Sequence, residues 1–322
     1  MKYMYRVLLG LVLAGAIIFL MSRAISWQDA KNSVLALRWN DIALIIGVVF
    51  AISLAKATRF YFILNYGDVP VSLMNTFRIF VASQAFTPMP GGELGRAILF
   101  KNELGVHLKE VAGPVFLQAL MELWTAALWV VFAAFLVGNI FGIWIIGLFA
   151  LLAILTAPLL LAKRLPGLLD ILKRHGMAYK WIDKTQSTFR HFGTLVSSKG
   201  KRKAWRFWIV IVALGLLAHA VSGGLLWYIA HSVGGHITIL QGIFATTAAA
   251  LIQGIFTFIP GGLGVTEGGL VGILSGFAVP LPKTIVMILL YRVATLPLSI
   301  FISILFLTVI YGKKLIHRAS ST

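Results

Sequence analysis

Residues 256–272 read FTFIPGGLGVTEGGLVG, an aliphatic and aromatic run broken by Pro260, Gly261 and Gly262 that restarts with Glu267 in its first turn. Proline removes a backbone donor and stops a helix, and paired glycines reach conformations closed to other residues. In water this would be an ordinary helix terminator. The chain around it is not one made for water: of 322 residues, 59% are hydrophobic and 12% charged, and several windows are long enough to cross a bilayer. The sequence is that of an all-α polytopic membrane protein. Exposed backbone at membrane depth is tolerated only where it is buried in protein or lines a water-filled cavity, so the break implies a special environment.

The same break occurs earlier. Residues 72–90 run into PMPGGELGR and restart toward Phe100, as 238–258 run into IPGGLGVTEGG and restart toward Leu281. Uninterrupted apolar stretches near 7–25, 41–64, 111–137, 139–162, 206–231 and 284–311 predict about six complete crossings, with the two broken segments as helical hairpins. Hydropathy does not decide whether the hairpin arms re-enter or span. The order is span, broken hairpin, span, twice: 41–64, 72–104, 111–137 (a first repeat over 41–137), then 206–231, 238–281, 284–311 (a second over 206–311). Corresponding interrupted segments in halves of opposite topology point to a transport site between half-helix N-termini near the midplane.

Charge sets the orientation. The chain carries a formal +18, and residues 163–206 alone hold twelve Lys/Arg against Asp170 and Asp183, with Leu, Trp and Phe among them. That composition fits a cytoplasmic connector resting on anionic headgroups rather than a nucleic-acid site. The N-terminal run MKYMYRVLLGLVLAGAIIFLMSRAIS starts basic like a signal peptide, but Ser22, Arg23 and Ala24 supply no A-x-A cleavage site. It reads as an uncleaved first span. With Lys2 and Arg6 inside and the connector inside, parity requires both hairpins to return to their starting side. The first then opens from the cytoplasm beside Lys101 and Lys109, the second from outside, and the KKLIHR tail ends inside. The protein is expected in the cell membrane, plasma or inner, as a single multi-pass domain over 1–322 with both termini cytoplasmic.

The helix restarting after each break begins with unsatisfied N–H groups and a partial positive charge, an anion site in a low-dielectric setting. Pro90, Gly91 and Gly92, and Pro260, Gly261 and Gly262, prepare such termini, and a lipid phosphate is the natural anion at that depth. Glu93 and Glu267 would compete for the positive end. Each is read as a helix cap, as the site of a driving proton or cation, or as the partner of an arginine when substrate is absent. A charge inside a membrane needs a partner or water. Arg292 with Glu267, and Glu122 with Arg96 or Arg78, are the candidate pairs. Lys56 and Arg59, one turn apart, are expected to snorkel toward the inner interface. Gly264, Gly268, Gly272 and Gly276 recur every four residues, which predicts a smooth face packed closely on another helix.

Much is excluded. With no cysteine, thiolate metal sites, disulfides and thiol catalysis are ruled out. His219, His231 and His236 lack metal-ligand spacing. There is no nucleophile elbow, nucleotide loop or acidic dyad, so neither enzyme activity nor a cofactor is expected. Trp27, Trp39, Trp205, Trp208 and Trp227 fit interface anchoring.

FIPGGLGVTEGG followed by LLYRVATLPL, with PMPGGELGRA upstream, resembles the lysylphosphatidylglycerol synthase transmembrane-region family, a flippase-like integral membrane family, from the second span to the last. The resemblance implies a lipid flippase-type domain with Glu93, Arg96, Glu267, Tyr291 and Arg292 as functional positions. In some relatives the cargo is aminoacylated phosphatidylglycerol, in others the domain is tied to glycan or polyprenyl lipid assembly. Two departures matter: Leu123 follows Glu122 where the family often has Glu-Arg, and no cytosolic synthetase domain follows the last span. Lysyl-lipid synthesis by this chain is therefore not expected.

Two functions fit. In one, the protein moves an anionic-headgroup or polyprenyl-type lipid between leaflets, the headgroup contacting the hairpin termini and Arg96 or Arg292. In the other, it is a non-transporting scaffold whose connector docks a cytosolic lipid synthase or glycosyltransferase. Both rest on the topology. A cysteine introduced at position 199 is expected to react only from the cytoplasmic side; labelling by an impermeant maleimide from outside intact cells would overturn the parity argument.

Overall fold

A computed structural model describes residues 37–86, 92–137, 201–255 and 262–319, with Gln28, Lys31, Asn32 and Leu35. The predicted spans 7–25 and 139–162, nearly all of the 163–206 connector, and both break centres, including Pro90, Gly91, Pro260 and Gly261, lie outside the described residues. So does the side chain of Glu93.

The described residues form helices without strands: α1 (Trp39–Tyr66), α2 (Leu73–Ser83) with a 3-10 turn at Gln84–Phe86, α3 (Gly92–Leu104), α4 (Leu108–Val137), α5 (Lys201–Ser232), α6 (Ile239–Ile255), α7 (Val265–Gly276), α8 (Leu281–Thr295) and α9 (Pro297–Ala319). Among the described residues, four stretches are long and apolar enough to cross a membrane: Trp39–Tyr66, Glu110–Leu136, Trp205–Ser232 and Leu281–Thr308. α2, α3, α6 and α7 are shorter, and they are the arms expected on either side of the two breaks.

Local chemistry sets the helix ends. α1 starts where Asp41 Oδ2 accepts from Arg38 N at 2.8 Å, an acid placed at the positive end of the helix dipole, and stops at Gly67. α2 starts at Ser72, whose Oγ accepts from Asn75 N at 3.2 Å. The last crossing, expected over 284–311, is one stretch of bilayer length, Leu281–Thr308, carried by two helices. Pro297 has no N–H to continue the ladder and disfavours helical geometry at Leu296, so α8 ends there and α9 begins with proline in its first position. Ser299 Oγ donates to the carbonyls of Thr295 and Leu296, both at 2.8 Å.

α5 packs along α1 at the centre. α2 lies against α1 and α9, and α6 lies against α5 and α4; α3 returns along α4, and α7 along α8. Among the described residues four apolar clusters result, of which two are largest. Phe60, Phe77, Phe80 and Phe100 centre one among α1 to α4, reached by Ile302 and Phe306 of α9. Leu226, Ile229, Leu270, Leu274, Met287 and Ile288 centre the other among α5 to α8.

Lipid tails are as apolar as leucine, so helix association here depends on close packing and polar contacts rather than on removing apolar surface from water. Backbone approach is closest where α5 crosses α6. A Cβ on Gly223 would lie 2.3 Å from Ile243 Cα, and one on Gly242 would lie 2.6 Å from Gly223 O. The expected stripe on α7 does not do this. Gly268, Gly272 and Gly276 are exposed with nothing within 4 Å of an added Cβ, because α7 buries Leu270 and Leu274 instead. Gly223→Leu is therefore expected to lower stability by about 1 to 3 kcal/mol, while Gly272→Leu leaves the unfolding midpoint in detergent unchanged. The reverse result would restore the stripe as the packing face.

Candidate functional site

The second break leads into α7 through two glycines with positive φ. Gly262 has φ +62, and an added Cβ there would lie 2.6 Å from Gln253 Cγ, so both conformation and space require glycine. Gly264, φ +81, caps α7, and its N–H donates to Glu267 Oε2 at 2.6 Å. Glu267 thus reaches back to the cap of its own helix, as the third residue of a capping box does. Its other oxygen is also taken: Arg292 Nε of α8 donates to Glu267 Oε1 at 2.5 Å. Side-chain exposure is 8% for Glu267 and 13% for Arg292, so this charge pair is largely out of solvent.

Tyr291 follows on the same helix. It is buried and its hydroxyl lies 2.7 Å from Ser222 Oγ of α5. Thr266 Oγ1 donates to Gln253 Oε1 at 3.4 Å, tying the first turn of α7 to the end of α6. The expected Arg292–Glu267 pair therefore forms, and the terminus expected to receive a phosphate already holds its own carboxylate.

Arg96 serves the first hairpin differently. It is buried, its Nε donates to Ser83 Oγ at 3.1 Å, and its guanidinium lies over Phe80 at 4.2 Å and Phe60 at 5.3 Å. The contacts hold α3 against α2 and α1. Gly92 opens α3, and Arg78 is half-buried on α2.

Glu122 pairs with neither arginine. Its carboxylate instead meets two cations of α1: Lys56 Nζ at 2.5 Å from Oε1, and Arg59 Nη2 at Oε2. The reason is register. α4 brings Glu122 against α1 and α5, whereas Arg96, though its helix also runs along α4, is held over Phe60 and Phe80 and bonded to Ser83 of α2. Nor does Arg59 snorkel. It is 0% exposed, and its Nε donates to Gln118 Oε1 at 3.1 Å, one helical turn before Glu122. Lys56 remains 32% exposed.

α5 joins the two charge centres. His219 Nε2 donates to the Glu122 carbonyl at 3.2 Å, and a Cβ on Gly215 would lie 2.5 Å from Arg59 Nη1, so glycine makes room for the guanidinium. Gly215, His219 and Ser222 share one face of α5, and the rise from first to last is about 10 Å. Sequence reading overlooked Gln118 and Ser222 as polar partners and assigned His219 no role. The spacing of Gln118 and Glu122, four residues apart in an apolar helix, was the available signal.

The family model described as "Lysylphosphatidylglycerol synthase TM region" matches residues 7–303, nearly the whole chain. No curated protein matches the chain.

Removing one member of a dry ion pair strands the other charge. Glu267→Gln is expected to lower stability by about 3 kcal/mol, and the Glu267→Gln/Arg292→Gln double variant to recover part of the loss. Unfolding midpoints in detergent test this; single variants as stable as the wild type would mean that water reaches the pair.

Proposed function

The chain belongs to the lysylphosphatidylglycerol synthase TM-region family, and from that membership we propose that this integral membrane protein is a lipid transporter. Its cargo is an anionic-headgroup or polyprenyl-type lipid moved between leaflets of the cell membrane, and both termini face the cytoplasm. The observation that carries the reading is the Glu267–Arg292 pair, a buried charge couple built into the restart of a broken hairpin. Charged groups inside a membrane are expensive, and a scaffold would be cheaper without them.

The packing supports it. Each hairpin's leading arm, α2 or α6, lies against the leading span of its own half and the trailing span of the other, α9 or α4. The returning arms α3 and α7 lie against α4 and α8, and the leading spans α1 and α5 meet each other. Exchanging the two halves leaves this pattern of neighbours unchanged. That exchangeable pattern supports the reading of two inverted repeats that rock a midplane site between two openings. In the proposed cycle Glu267 holds Arg292 when no lipid is bound; a headgroup anion releases the arginine, and α8 moves about the Leu296–Pro297 junction. The Pro90–Gly92 and Pro260–Gly262 segments, with Glu93, Arg96, Glu267, Tyr291 and Arg292, line the proposed route. No catalysis is proposed.

Reconstituted vesicles carrying fluorescent lipids of varied headgroup provide the test, read by quenching of the outer leaflet. Per mole of folded protein, Glu267→Gln and Arg292→Gln are expected to move lipid about tenfold more slowly or worse. Wild-type rates from a folded Glu267→Gln protein would reduce the carboxylate to a helix cap and favour the scaffold reading.

A further inference from the structure

The cluster on α1, α4 and α5 differs from the hairpin pair in its charge balance. At the hairpin, one carboxylate meets one guanidinium, and both carboxylate oxygens are taken. On α1, Lys56 and Arg59 bring two positive charges to the single carboxylate of Glu122, whose two oxygens are divided between them. His219 gives its Nε2 proton to a backbone carbonyl and supplies no negative charge. The cluster is short of one anion.

It is short of an acceptor too. Among the described residues, Arg59 Nη1 is the one buried side-chain nitrogen or oxygen without a hydrogen-bond partner. A fully buried guanidinium with an idle donor is costly, because the donor has given up water and received nothing. The cluster is also reachable. Lys56 and Glu122 are 32% and 27% exposed, whereas Arg59 is sealed. One turn before Lys56, Ser53 lines a small cavity between α1, α2 and α9 with Gln84 and Ser299, roomy enough for about one water. Gln84 Nε2 donates to Ser53 Oγ at 3.3 Å. Polar groups therefore continue along α1 from that cavity to the lysine.

We propose that Lys56, Arg59 and Glu122 form an anion-exchange site for a phosphate group. The incoming anion takes the place of Glu122 on the exposed ammonium of Lys56. The freed Glu122 oxygen then turns wholly to Arg59, where a two-pronged carboxylate contact supplies the acceptor that Nη1 lacks. Charge closes at the same time: two cations, one carboxylate and one anion. The inference deepens the transport reading and rests on it for a lipid headgroup as the occupant. It moves the first phosphate contact from the hairpin terminus, which Glu267 already fills, to α1.

The test measures binding without transport, on the full-length purified protein in detergent, by the shift of its tryptophan-detected unfolding midpoint. Probes are inorganic phosphate against chloride at equal ionic strength, and phosphatidylglycerol against diacylglycerol of the same chains in mixed micelles. A saturable rise with phosphatidylglycerol alone identifies a lipid headgroup; a rise with both phosphate probes identifies a free anion as a further source. Either supports the site, provided that Lys56→Gln weakens the apparent affinity about tenfold and Lys56→Arg restores it. Lys56 is the choice because its partial exposure spares the fold, as Arg59→Gln would not. No shift with either probe, or the same shift in Lys56→Gln as in wild type, overturns the proposal. If Glu267→Gln loses the shift while Lys56→Gln keeps it, the phosphate sits at the hairpin: the inference fails and the transport reading stands. A Lys56-dependent shift in a protein that moves no lipid upholds the site and removes the transport reading.

Discussion

A guanidinium taken fully out of water must be answered by protein, and in this chain that requirement falls on Arg59. Its neighbours come from three helices. Gln118 and Glu122 of α4 supply acceptors, Gly215 of α5 supplies the space, and α1 itself contributes Lys56 as a competing cation. Shifting any of the three helices by a residue would strand a charge, at a cost of several kcal/mol. The register of the central bundle is thus held by polar contacts, as expected where the surrounding lipid offers no hydrophobic drive between helices.

The second charge centre obeys the same rule with a different balance. Glu267 answers both the cap of its own helix and Arg292, so the irregular backbone at Gly262 and Gly264 is stabilised from within α7 and from α8 together. Where hydrocarbon cannot solvate a broken helix, its own first-turn carboxylate does so. α5 presents Gly215 and His219 to one centre and Ser222 to the other, so a displacement of this helix is felt at both. That linkage is the physical basis on which the two centres could move as a coupled pair.

Close helix contact followed local space rather than glycine spacing. Gly268, Gly272 and Gly276 of the α7 stripe face outward, while Gly223 and Gly242, which form no stripe together, meet across the α5–α6 crossing at distances no side chain fits. A glycine pattern marks a helix face that can be approached closely. It does not say whether a neighbour is there.

The sequence by itself determined the class of the protein and the positions of its breaks. Hydrophobic runs of bilayer length and Pro-Gly-Gly interruptions are local properties, and a carboxylate in the first turn after a break, with an arginine in the next helix, was enough to pair Glu267 with Arg292. Pro297 carried the same kind of local signal for the break between α8 and α9 within the last crossing. Tertiary structure alone decided the partner of Glu122, the burial of Arg59 and the close approach at Gly223. Each depends on which helix lies beside which and at what rotation, and in an apolar helix of almost uniform hydrophobicity no periodic pattern in the sequence records that rotation.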